Sequence, residues 1–160
     1  MNDLLPEGER SHASRELAER ALIRLVHELG DSAPKIVLLG GLVPGILTSG
    51  RTPPAPPHLG TTDVDVLLIT HLEMADEPGL AVVESALKSL GFSDATDGWR
   101  WQGPVDGVRV KIEFLCDLDA YESAALIRPD GCTELTALNV RGARHVALDF
   151  EERELSDVNA

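Results

Sequence analysis

The stretch HLGTTDVDVLLIT, residues 58–70, decides how the rest of the chain is read. Its second half is apolar and rich in branched side chains, as a buried strand requires. Its first half sets Asp63 and Asp65 one residue apart, and strand side chains alternate between faces. Both carboxylates therefore share a face with Leu67, while Val64, Val66 and Leu68 share the other. Two like charges held side by side repel, and a buried strand gains nothing from them. A hard divalent cation would relieve that repulsion: Mg²⁺ takes one or two carboxylates and keeps room for phosphate and water. The plainer alternative is a solvated pair at a strand entrance.

Upstream, PKIVLLGG (34–41) reads as a strand from Lys35 to Leu39 running into Gly40-Gly41. A short helix from Leu42 to Thr48 follows, with Pro44 in its first turn. Glycines here let backbone come close to a ligand, and a helix start offers free N–H groups to a phosphate. A simple tight turn would use the same residues.

Downstream, WRWQG (99–103) and VRVKIEFLC (108–116) read as strands joined through GPVDG, which has hairpin chemistry. Glu113 is a lone acid in the second of them. By alternation it shares a face with Lys111 and Leu115, opposite Val110, Ile112 and Phe114. Its ordinary role would be a solvent-facing acid paired with Lys111 or Arg109. With the strands of Asp65 and Glu113 adjacent, three carboxylates would instead meet beside the Gly-Gly turn. That arrangement suits two-metal phosphoryl chemistry.

These features carry a family resemblance. LLGG, then TTDVDVLL, then VKIEFL resembles the nucleotidyltransferase superfamily, whose pattern is an apolar residue, Gly-Gly or Gly-Ser, Asp-apolar-Asp and a distal third carboxylate. More narrowly the chain is similar to the AbiEii-type toxin, part of a toxin–antitoxin pair, whose loop often reads Arg-x-Thr-x-Asp-apolar-Asp. Thr61 matches that Thr; Leu59 stands where the Arg would be, and a proline-rich loop lengthens the gap from Gly41 to Asp63. The resemblance covers about residues 13–117. It implies an α/β (α+β) fold, a mixed sheet flanked by helices of the polymerase beta-like kind. It also implies transfer of a nucleoside monophosphate from an NTP to a hydroxyl on tRNA, protein or a small molecule. Gly40 and Gly41, with Thr61, Thr62 and Lys111, would lie at the nucleotide. Asp63, Asp65 and Glu113 would hold two Mg²⁺ ions, with Glu113 as general base.

The remaining segments frame that core. Residues 11–29 form an amphipathic helix: Leu17, Ala18, Ala21, Leu22, Leu25, Val26 and Leu29 recur at helical period, Ser11 or Ser14 caps it and Gly30 ends it. SGRTPPAPPHLG (49–60) is a proline-rich loop. A helix opens at Glu77 or Pro78 and runs to Leu90, with Leu80, Val83, Leu87 and Leu90 on one face. Residues 143–149 read as a short strand and residues 150–160 as the start of a helix. We therefore expect a single domain over 1–160 with its core at about 13–117, and an extension over 118–160 that lacks a C-terminal partner segment.

A net charge of −13 opposes broad binding to nucleic-acid backbones, although 14 Lys and Arg leave room for a local basic site. Apolar runs are too short to span a membrane, and the first residues lack a secretory leader pattern, so a cytoplasmic protein is expected. Cys116 and Cys132 read as reduced structural thiols. Lys111 could contact phosphate, but a strand salt bridge is the commoner role. Arg51 and His58 are loop groups within reach of a substrate, and Trp99 and Trp101 share a strand face that could stack on a base or complete a core. His145 has no supporting neighbours. A second class of function fits the same residues: a degenerate fold that binds nucleotide or a partner without turnover.

Overall fold

The computed structural model describes residues 11–31, 36–48, 63–68, 80–95, 97–149 and 151. The first helix, α1, spans His12–Leu29. Ser11 Oγ accepts the Ser14 N–H at 3.1 Å, satisfying a first-turn donor that has no partner within the helix. Gly30 closes the other end with its N–H on the Val26 carbonyl. The apolar stripe read from the sequence is the buried face: Ala18, Ala21, Leu22, Leu25 and Leu29 lie in the core, with Leu17 and Val26 at its margin.

β1, Ile36–Leu39, runs into a 3-10 turn, Gly40–Leu42, and then a short helix, α2, Val43–Thr48. β2 is Asp63–Leu68 and the next helix, α3, is Ala81–Ser89. β3, Ser93–Asp94, β4, Arg100–Val105, and β5, Val108–Cys116, follow; β6, Leu126–Ile127, and β7, Ala137–Asn139, complete one sheet. Its order is β1-β2-β5-β4-β3, with β7 against β5 and β6 against β7. β1 and β2 are antiparallel, β2 and β5 parallel, β4 and β5 antiparallel. The protein is thus α/β, a mixed sheet flanked by helices.

Burial selects the faces. Val64 and Val66 of β2, Trp101 of β4, and Ile112 and Phe114 of β5 are fully buried in one cluster with α1 and with Val83 and Leu87 of α3. Burying each of the larger side chains contributes about 1.5–3 kcal/mol. The β4–β5 hairpin closes at Asp106-Gly107, both at positive φ (51° and 80°), the turn whose twist matches that of the strands. Asp106 also accepts from Arg20 and Arg24 of α1, which fixes the hairpin on the helix and draws its carboxyl below its ordinary pKa.

Two differences from the sequence reading have local causes. Residues 143–149 are not a strand: Ala143–Ala147 forms a 3-10 turn. Asp117 Oδ2 accepts the N–H groups of Gly142 and Arg144 at 2.8 and 2.9 Å, nucleating helical rather than extended backbone. The chain after Cys116 also returns to the same sheet, through β7. There the buried Asn139 takes the Leu118 N–H at 2.8 Å on Oδ1 and gives its amide to the carbonyls of Leu118, Tyr121 and Glu122. Lys35, Glu77, Pro78 and the helix expected over 150–160 lie outside the described residues, apart from Glu151. Among the described residues no helix is long and apolar enough to cross a membrane.

Candidate functional site

Strand register alone brings the polar side chains together. Across β1, β2, β5 and β4 one row reads Leu39, Asp65, Glu113, Arg100. The next row on the same face reads Asp63, Lys111, Gln102. Residues paired across a ladder project to the same side about 4.5–5.5 Å apart, so the two rows form one patch. It lies on the face opposite Val64, Val66, Ile112 and Phe114. Asp63, Asp65, Lys111 and Glu113 are half-buried there, and Leu67 is buried beside them. The three acids expected to meet therefore do lie together, because β2 and β5 are neighbours.

The patch carries its own counter-charges. Lys111 Nζ stands 3.5 Å from Asp63 Oδ2. Arg100 Nε donates to Glu113 Oε1 at 2.9 Å, and the Arg100 guanidinium sits 4.0 Å from the Trp99 ring centre. The partner of Glu113 is thus Arg100, neither Lys111 nor Arg109. Arg100 escaped the sequence reading although the signal was there: a two-residue turn at Asp106-Gly107 sets Val105 opposite Val108, and counting back sets Arg100 opposite Glu113.

Asp65 is the strained member. Burial, then the charges of Glu113 and Asp63, push its pKa from the ordinary 3.8 up to about 6. Its carboxylate packs against Gly40, where φ is +74° and an added Cβ would strike Asp65 Oδ2. The first glycine is thus required twice, for its backbone conformation and for the space the carboxylate fills. We expect Gly40→Ala to cost about 2 kcal/mol, read from denaturant unfolding, as strain at a positive φ and displacement of Asp65 combine.

Gly41 is half-buried in the 3-10 turn beside it. α2 has only 6 residues, too few for a substantial helix dipole, so any anion affinity here rests on turn backbone rather than on a helix start. Thr61 and Thr62, like Arg51, His58 and Leu59, lie outside the described residues. Trp99 and Trp101 do not make one stacking platform. Trp99 precedes β4 and is half-buried, whereas Trp101 is fully buried with its indole N–H on the Gly98 carbonyl at 2.9 Å. His145 is exposed on the 3-10 turn. Cys116 and Cys132 are buried and unbridged, and burial pushes both thiols up to about 11.

Carboxylate oxygens on adjacent strands are the donor type a hard cation such as Mg²⁺ takes, and the repulsion from Glu113 and Asp63, which adds to burial in raising the pKa of Asp65, is one that a cation would relieve. Asp63, Asp65 and Glu113 are thus donors of the right chemical kind for such a cation. As the side chains stand, with Asp63 on Lys111 and Glu113 on Arg100, no group of three His, Cys, Asp or Glu among the described residues is drawn close enough to hold a metal. No protein-family model matches the chain, and no curated protein or solved structure shows significant similarity to it.

Proposed function

We propose that the chain is a Mg²⁺-dependent nucleotidyltransferase of the polymerase beta-like fold, transferring a nucleoside monophosphate from an NTP to a hydroxyl on tRNA, protein or a small molecule. The observation that carries this reading is the seat of Asp65, pressed against Gly40 and crowded by two further carboxylates. A protein keeps such a group, at a cost in stability, where chemistry uses it.

In this reading Asp63, Asp65 and Glu113 bind the cation, the Gly40-Gly41 backbone borders the triphosphate, and Lys111 faces phosphate. The acceptor oxygen bonds to the α-phosphorus, the bond from that phosphorus to the bridging oxygen breaks, and pyrophosphate leaves. The acceptor proton passes to Glu113. A bound metal supplies positive charge for the leaving group and lowers the pKa of the acceptor hydroxyl. A second reading is favoured by the Lys111–Asp63 and Arg100–Glu113 pairs, which already neutralise two acids: a module that binds nucleotide or a partner protein, such as an antitoxin, without turnover.

Incubation with α-labelled ATP, GTP, CTP or UTP, Mg²⁺, and tRNA, protein or aminoglycoside acceptors separates the two. Transfer that disappears in Asp63→Asn supports the enzyme. NTP binding without transfer supports the module, and neither binding nor transfer overturns the enzyme and the nucleotide-binding form of the module. Metal affinity should also depend on pH, because a proton on Asp65 competes with the cation. Mn²⁺ binding by calorimetry should be constant above about pH 6 and weaken about tenfold per pH unit below it.

A further inference from the structure

We infer that Arg100 is an exchangeable counter-ion, which neutralises Glu113 in the ligand-free protein and turns to the polyphosphate of a nucleotide when a divalent cation takes its place. The inference rests on the metal–nucleotide reading of this site and adds to it a residue and a role.

Arg100 is tethered by little. Its side chain makes one hydrogen bond among the described residues, from Nε to Glu113 Oε1, and no acceptor among those residues takes the outer Nη groups of the guanidinium. A planar fork with unused donors matches phosphate oxygens in a way an ammonium does not. The Trp99 ring, 4.0 Å away, holds the plane of that fork, so less freedom is lost when it engages a ligand.

Position points the same way. In the row Leu39, Asp65, Glu113, Arg100, the neighbours of Glu113 are Asp65 on one side and Arg100 on the other, so a cation held by the two acids would approach Glu113 from the side away from Arg100. Both would compete for one carboxylate, and a guanidinium displaced from it would lie where the phosphate of a metal-bound nucleotide could be met. The Arg100 side chain is 44% exposed against 17% for Glu113, so it can leave the carboxylate without opening the core.

The test compares the wild type with Arg100→Gln and Arg100→Lys, each checked for folding by circular dichroism. Mn²⁺ binding is read by electron paramagnetic resonance, alone and with ATP, GTP, CTP or UTP. Arg100→Gln should bind Mn²⁺ alone at least as tightly as the wild type, about threefold tighter, since a competitor is gone. It should bind the Mn²⁺–NTP complex about tenfold or more weakly, with partial recovery in Arg100→Lys. Equal changes in both affinities, or no change in either, would overturn the inference while leaving the parent reading intact. A wild type that binds neither Mn²⁺ nor any NTP overturns the parent reading, and the inference with it.

Discussion

Asp65→Asn should abolish nucleotide transfer and at the same time make the protein more stable. The loss follows from replacing the anionic oxygen nearest the Gly40 turn by a neutral amide, a poor ligand for a hard cation. We expect a fall of about a thousandfold, or roughly 4 kcal/mol of transition-state stabilisation. The gain follows from linkage. Asp65 gives up its proton near 3.8 in the unfolded chain and near 6 in the folded one, so ionisation opposes folding. Stability from this group falls as the pH rises between those values and stays reduced above them. Allowing for solvent screening, the amide should raise stability at pH 7.5 by about 1–2 kcal/mol and by almost nothing at pH 3.5. Denaturant unfolding of the two proteins at both pH values checks it. A variant with reduced stability at pH 7.5 would show that the carboxylate is a structural acceptor rather than a group held in place for chemistry.

Replacing Glu84 should have the largest effect on folding. This acid of α3 is only 6% exposed. It accepts the N–H groups of Thr133, Glu134 and Leu135 at 2.9, 3.0 and 2.9 Å, the Thr133 hydroxyl at 2.6 Å and the Lys88 ammonium at 2.8 Å. Burial alone would raise its pKa, but Lys88, the Thr133 hydroxyl and the Leu135 and Glu134 amides hold it well below the usual carboxylate range. Glu84→Ala strands three backbone donors in the loop that leads into β7, that of Leu135 buried and those of Thr133 and Glu134 part-buried, and we expect a loss of about 2–3 kcal/mol. Glu84→Gln retains one acceptor oxygen and should lose about half of that. The sign of the pH effect is opposite to that of Asp65. Stability from Glu84 is fully present above its ordinary pKa of 4.5 and is lost as the pH falls below it. Acid unfolding of the wild type should therefore be steep below pH 4.5 and shallower in Glu84→Ala.

Periodicity made some of this legible and left some hidden. The buried stripe of α1, the faces of β2 and β5, and the β4–β5 turn follow from local spacing, because alternation and turn chemistry act within a few residues. The adjacency of β2 and β5 does not, since a parallel pair forms through a crossover whose path spacing does not encode. That one pairing turns three separate acids into a patch. Glu84 stands four residues before Lys88, the spacing of an ordinary surface pair on a helix. Its main partners, in residues 133–135, are distant in sequence and no periodic signal connects them. The strand expected over 143–149 fails for a different reason: an aspartate at 117, distant in sequence, bonds the backbone of that segment into a helical turn.

We propose that Asp63, Asp65 and Glu113 share a divalent cation with a nucleotide. Water-proton relaxation of Mn²⁺, titrated with protein in the absence and presence of each NTP, tests it most directly. We expect an enhancement at pH 7.5 that grows with at least one NTP and disappears in Asp65→Asn. Free-ion relaxation with the wild type under every one of those conditions, or an enhancement unchanged in Asp65→Asn, would contradict it.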